Sequence, residues 1–144
     1  NEYLQEVPQG QQAVFLLIDL DNFKNLNDSL GHLAGDQALV DVANVLKNSF
    51  CDDAIISRFG GDEFVVFVKN IQDIKLFNRL ISRLLQQLDL YYQSEKDQIN
   101  IQASIGIALA PIDGRDMNTL YLKADKALYQ AKEGGKNRYK YYNN

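Results

Sequence analysis

The apolar residues of this chain change their period along the sequence, and that alternation narrows the fold more than any other feature. Ala13-Val-Phe-Leu-Leu-Ile18 is an unbroken apolar run of strand length, rich in β-formers, and reads as a central strand buried on both faces. Leu39, Val42, Ala43, Leu46 and Phe50 then recur at helical spacing and predict an amphipathic helix over about 36–50. Ile55–Phe59 and Phe64–Val68 are strand-like and flank Gly60-Gly-Asp-Glu63, which predicts a tight β-hairpin with glycine supplying positive φ. Ile74, Phe77, Ile81, Leu84, Leu85 and Leu88 mark a second helix, about 71–92. Ile99, Ile101, Ala103, Ile105, Ile107 and Leu109 alternate strictly, the mark of a strand with one buried face. Pro111 to Gly114 turns the chain. Leu120, Ala124, Ala127, Leu128 and Ala131 define a last helix, stopped by Gly134-Gly135. Arg138–Tyr142 reads as a final edge strand whose charges discourage further pairing. The order β-α-β-β-α-β-α-β, with a hairpin inside a βαβ-like frame, predicts an α/β palm of ferredoxin-like type: a mostly antiparallel central sheet flanked by helices.

Composition bounds the partners. At 144 residues the chain reads as one domain, and 46% hydrophobic residues suffice for one real core. Fifteen basic residues stand against nineteen acidic ones, a net charge of −4, which argues against sequence-independent nucleic-acid binding. The charge is uneven: residues 123–144 carry six Lys or Arg and two Asp or Glu. A local basic patch on an acidic protein suits a small anionic ligand better than a long polyanion. One cysteine and one histidine, Cys51 and His32, exclude an internal disulfide and a Cys/His zinc site. Cys51 has no basic neighbour in sequence to activate it, and reads as structural. This usage fits a cytoplasmic compartment. The apolar run at 13–18 is too short to span a bilayer and no signal peptide is visible, so no membrane contact is expected of this domain, and an inner-membrane anchor would belong to other parts of a parent protein.

Four constellations offer chemistry. Asp19-Leu-Asp-Asn-Phe-Lys24 lies where the first strand ends, the usual place for ligand groups in such sheets. Asp19 projects from the strand end while Asp21 points elsewhere; carboxylates there suit a hard cation such as Mg²⁺, or else one of them caps the next helix. The two glycines of Gly60-Gly-Asp-Glu63 expose amides to a phosphate, and two adjacent acids between apolar strands repel each other unless a cation sits there. If Asp62 meets Asp19, the pair clamps a divalent ion on a triphosphate. In Asn27–Asp36, Asn27 and Asp36 match the donors and acceptor of guanine better than those of adenine, although Asn, Asp and Gly also serve as plain turn residues and caps. Lys132 and Lys136 straddle the Gly134-Gly135 helix stop, as triphosphate contacts or as a solvated basic end complementing the helix dipole.

Together these segments resemble the GGDEF domains, the diguanylate cyclases. The naming motif stands intact as Gly60-Gly-Asp-Glu-Phe64, preceded by Ser57-Arg-Phe59. Asp19–Asp36 (DLDNFKNLNDSLGHLAGD), Ser104–Ala108 (SIGIA) and Ala124–Asn137 (ADKALYQAKEGGKN) are similar to further family blocks, so the likeness runs from about residue 13 to 140. It implies a palm fold and the condensation of two GTP into cyclic di-GMP and two pyrophosphates, between two domains that meet face to face. It further implies that Asp19 and Asp62, with the Leu20 carbonyl, hold Mg²⁺ or Mn²⁺, with two ions per GTP possible. Asp62 helps deprotonate the 3′-hydroxyl, and Glu63 supports the metal site. Gly60 and Gly61 approach the phosphates, Lys132 and Lys136 contact the triphosphate, and Asn27 and Asp36 read guanine with Phe23, Lys24 and His32 nearby.

Three departures from the family pattern stand out. Lys136 replaces the usual Arg, turning a bidentate fork into a point charge. The family's leading DxLTxLxNR segment is missing, so the chain is expected to be a single GGDEF domain, residues 1–144, trimmed at its N-terminus from a larger signalling protein. The slots of the RxxD product-inhibition motif hold Cys51 and Ala54, so no product-inhibition site is expected. The expected function is therefore a diguanylate cyclase in bacterial second-messenger signalling, the biofilm and motility pathway. The alternative is a GTP-binding regulatory module controlling an attached domain such as an EAL-type phosphodiesterase.

Overall fold

The computed structural model describes residues 12–50 and 54–143. Six strands form one sheet in the order β2-β3-β1-β5-β4, with β6 beside β5. The strands are β1 (Gln12–Asp21), β2 (Ala54–Arg58), β3 (Glu63–Ile71), β4 (Leu90–Gln93), β5 (Gln98–Ala110) and β6 (Tyr139–Tyr141). The helices are α1 (Phe23–Leu30), α2 (His32–Ser49), α3 (Ile74–Gln87) and α4 (Met117–Glu133). β1 runs antiparallel to both β3 and β5, and only the β5–β6 pairing is parallel. The expected α/β palm is the fold observed.

β1 is central because both of its faces are apolar. Val14, Leu16, Ile18 and Leu20 enter a large core covered by α1, α2 and α3, whereas Ala13, Phe15 and Leu17 enter a smaller one covered by α4. Burial of whole Leu and Phe side chains on both faces contributes roughly 1.5–3 kcal/mol each, so β1 is the strand least able to tolerate a polar residue. On the second face α4 crosses β5 over Ser104, Gly106 and Ala108, where small residues let the helix backbone approach. A Cβ at Gly106 would lie 2.0 Å from the Ala124 carbonyl oxygen. No helix of the described residues is long and apolar enough to cross a membrane.

Two expectations need correction. The segment after β1, where the apolar spacing marks no helix, contains α1, whose Phe23 and Leu26 are buried one helical turn apart. The helix expected over 71–92 is shorter, because β3 continues to Ile71, Asp73 caps α3 through the amides of Lys75 and Leu76, and residues 90–93 form β4 against β5. The final edge strand is as expected: β6 pairs in parallel with β5 through residues 139–141. The hairpin is as expected: Gly60 has φ 129°, and the Phe59 amide donates to the Glu63 carbonyl at 2.7 Å.

Candidate active site

The chemistry gathers where β1 ends and β3 begins. Asp19 faces Glu63 across the β1–β3 ladder, and the Leu20 amide donates to the Asp62 carbonyl at 3.1 Å. That bond folds the glycine turn back against the strand end and brings the Asp62 carboxyl to Asp19. Arg58 Nε braces the turn by donating to the Gly60 carbonyl at 3.1 Å. Arg58 was not anticipated as a site residue, although its position two residues before a glycine turn is the available signal.

Asp19 is 8% exposed. Its Oδ2 accepts from Lys132 Nζ, and its Oδ1 is buried with no partner among the described residues. Burial pushes its carboxyl above the usual range; the Lys132 ammonium opposes the shift and the Asp62 carboxylate adds to it. Glu63 is raised as well, by burial first and then by Asp19, Asp62 and Asp125. Burial works to lower the Lys132 ammonium, but its bond to Asp19, with the charges of Asp21 and Asp62, holds it above its ordinary value. One cation therefore stands among crowded acids. An orphaned buried carboxylate oxygen beside further oxygen donors is the donor set that hard divalent cations take, so the residues fit Mg²⁺ or Mn²⁺. Among the described residues no three acidic, His or Cys side chains are gathered to hold a metal unaided. Two carboxylates that rely on substrate phosphates to complete the shell are usual for Mg²⁺.

Asp21 has other business. Two residues on from Asp19, it shares that residue's sheet face, so partners rather than direction separate them. Both its oxygens accept from Ser104 Oγ at 2.9 Å, and Oδ2 also accepts the Asn137 amide at 3.2 Å. Ser104 was not anticipated; its signal is a polar residue among Gly106 and Ala108 on the small-residue face of β5.

The remaining candidates divide. Asn27, on α1, is half-buried against Gly35, where a Cβ would lie 1.8 Å from Asn27 Oδ1. Asp36, on α2, is exposed and lines a cavity of about 400 Å³ with Leu39, Val40, Lys47, Arg58 and Phe64. Phe23 is 8% exposed, and its side chain belongs to the large core. Lys24 and His32 are exposed at helix starts, and Gly60 and Gly61 sit exposed at the turn. Lys136 is exposed in the loop after α4. Cys51 of the RxxD slots lies outside the described residues, whereas Ala54 opens β2.

The family model "Diguanylate cyclase, GGDEF domain" matches residues 1–138, and the chain belongs to that family. It is 40% identical over 122 residues to the cyclic di-GMP phosphodiesterase PdeR of Escherichia coli, covering 85% of this chain and 18% of that protein. It is 36% identical over 138 residues to the bifunctional diguanylate cyclase/cyclic di-GMP phosphodiesterase MucR of Pseudomonas aeruginosa, covering 96% of this chain and 20% of that protein. The chain thus spans about a fifth of the length of these relatives. The GGDEF domain of YfiN from Pseudomonas aeruginosa superposes with a TM-score of 0.87 at 29% identity, covering 99% of this chain and 90% of that one.

Proposed function

We propose that this domain is a diguanylate cyclase that joins two GTP into cyclic di-GMP and releases two pyrophosphates, each domain of a facing pair presenting one nucleotide. The observation that carries the reading is the meeting of Asp19, Asp62 and Lys132 at the end of β1, enforced by the bond from the Leu20 amide to the Asp62 carbonyl. Asn27 and Asp36 bind guanine on the α1–α2 side of the sheet, while the triphosphate reaches Lys132 and Lys136 on the α4 side. Gly60 and Gly61, bare of side chains, let the phosphates approach the turn.

Asp19, Asp62 and the Leu20 carbonyl hold the divalent cation, which when bound neutralises developing charge on the α-phosphate and polarises it for attack. Asp62 accepts the proton of the 3′-hydroxyl, Glu63 supports the metal site from its place directly opposite Asp19, and Lys132 leaves Asp19 for the phosphates. Mutual repulsion of Asp19, Asp62 and Glu63 supports this reading, because a bound divalent cation relieves such crowding while leaving the carboxylates ionised. The domain is one part of a longer cytoplasmic-facing signalling protein, joined to a sensor or an EAL-type domain.

A second reading rests on the phosphodiesterase named among the relatives and on Lys136 in place of Arg: a GTP-binding module that regulates an attached domain. The deciding experiment incubates the domain with GTP and Mg²⁺ and identifies products by chromatography and mass. Cyclic di-GMP and pyrophosphate in a 1:2 ratio support the cyclase. Saturable GTP binding without product supports the regulator.

A further inference from the structure

We infer that Asp21 is a positioning residue for triphosphate binding: it fixes the Gly134–Asn137 loop and, through it, the setting of Lys136 and of the α4 end that carries Lys132. The inference rests on the assignment of those lysines to the triphosphate. Asp21 is 7% exposed, and its carboxylate is spent on two neighbours rather than on a ligand. Ser104 Oγ, itself fully buried, donates to it from β5, and the Asn137 amide donates to it from the loop. A buried carboxylate engaged in this way has little capacity left for a cation, which separates its role from that of Asp19 with its orphaned Oδ1.

The loop needs such an anchor. Gly135, Lys136 and Asn137 take φ values of 122°, 63° and 49°, three successive left-handed residues of which two bear side chains. L-residues enter that region only as isolated, locally compensated positions, so a run of them persists where the surroundings hold it. Helix-side bonds, from the Lys136 amide to the Ala131 carbonyl and from the Gly135 amide to the Lys132 carbonyl, secure one end. The Asp21 bond secures the other, at Asn137, beside Arg138, whose Nε donates to the Lys136 carbonyl and whose carbonyl accepts the Ile105 amide as β6 returns to the sheet. Asp21 also acts on Lys132 by charge. A carboxylate in the first strand thereby sets where two lysines, more than a hundred residues later, present their charge.

The test compares Asp21→Asn with the unaltered protein, using a non-hydrolysable GTP analogue and GMP as probes in calorimetry. A nitrogen-15 spectrum follows the Asn137 amide. Analogue affinity falls about tenfold, the worth of one charge-assisted contact, while GMP affinity stays within twofold. The Asn137 amide proton shifts upfield. Ser104→Ala, which loosens the same carboxylate from the opposite side, moves both readouts in the same direction by less. Equal loss for the analogue and GMP, or a lowered melting temperature with unchanged analogue affinity, overturns the inference. Lys136→Met is measured alongside. If it weakens the analogue and Asp21→Asn does not, the anchoring role alone falls. If neither Lys136→Met nor Lys132→Met weakens the analogue, the assignment of the lysines falls and the inference with it.

Discussion

Gly106→Ala puts one methyl group where the sheet and α4 meet. The built Cβ lies 2.0 Å from the Ala124 carbonyl oxygen, 2.5 Å from the Leu128 nitrogen and 2.9 Å from the Leu128 Cα. All three are backbone atoms of α4, so no side chain can swing aside. Ordinary contact begins near 3.4 Å, so the helix must withdraw by more than an ångström. Overpacking of this kind costs about 1–3 kcal/mol, and the upper end applies where only backbone can yield. For a domain of this size that is a fall of roughly 10 °C in melting temperature. The sign is diagnostic, because Gly→Ala at a compatible position stabilises by about 0.4–1 kcal/mol through the unfolded chain. Gly61→Ala supplies the control: nothing lies within 4 Å of its Cβ, and its melting temperature stays near that of the unaltered protein. α4 also carries Lys132, so Gly106→Ala weakens binding of a GTP analogue. Calorimetric unfolding together with analogue titration reads both effects. A Gly106→Ala protein that melts as high as the original refutes the reasoning.

Asp62→Asn abolishes cyclic di-GMP formation yet keeps or raises the melting temperature, because it removes one of three crowded acids; turnover near that of the original protein ends the two-carboxylate assignment. In calorimetry GTP outcompetes ATP by up to about 10⁴-fold, and Asp36→Ala narrows the gap; equal affinities in the unaltered protein rule out guanine reading by Asn27 and Asp36. Asp19 and Glu63 are raised in the folded state, so the stability tied to their protonated forms is fully present below the unfolded values and lost as pH rises through the folded ones. Metal-free protein is therefore more stable at mildly acidic than at neutral pH, and a melting temperature that falls steadily on acidification contradicts this. Cyclic di-GMP inhibits only competitively with GTP, since the Cys51–Ala54 stretch lacks the arginine of the RxxD pattern; noncompetitive inhibition abolished by mutating residues 51–54 would show otherwise.

The elements legible in the sequence are those whose period is set locally. The run at 13–18 is β1, the alternation of 99–109 is β5, and the glycine turn is the hairpin, because each pattern answers directly to burial on two faces, on one face, or to a need for positive φ. β4 was hidden because the helical period of α3 runs on through Leu88 and the residues after it pair with β5 at 98–101, a partner that no local pattern announces. α1 was hidden under Asn, Asp and Ser, residues that favour turns; Phe23 and Leu26 against the core override them. The same burial places the Phe23 side chain in the core. The acidic cluster was legible as composition, whereas the company of Asp21 depends on a serine and a backbone amide that only the folded sheet brings within reach.

The two faces of the sheet are unequally roofed, three helices over one and α4 alone over the other. α4 lies close on β5, where a Cβ at Gly106 would meet its backbone, and it carries Lys132 near its end. In the proposed function the carboxylates stand on β1 and the lysine on the helix laid over the sheet, so a nucleotide held between them ties strand and helix together. Amide exchange in the last turn of α4, at the end of an element, is then expected to slow on nucleotide binding more than exchange in the central strand β1.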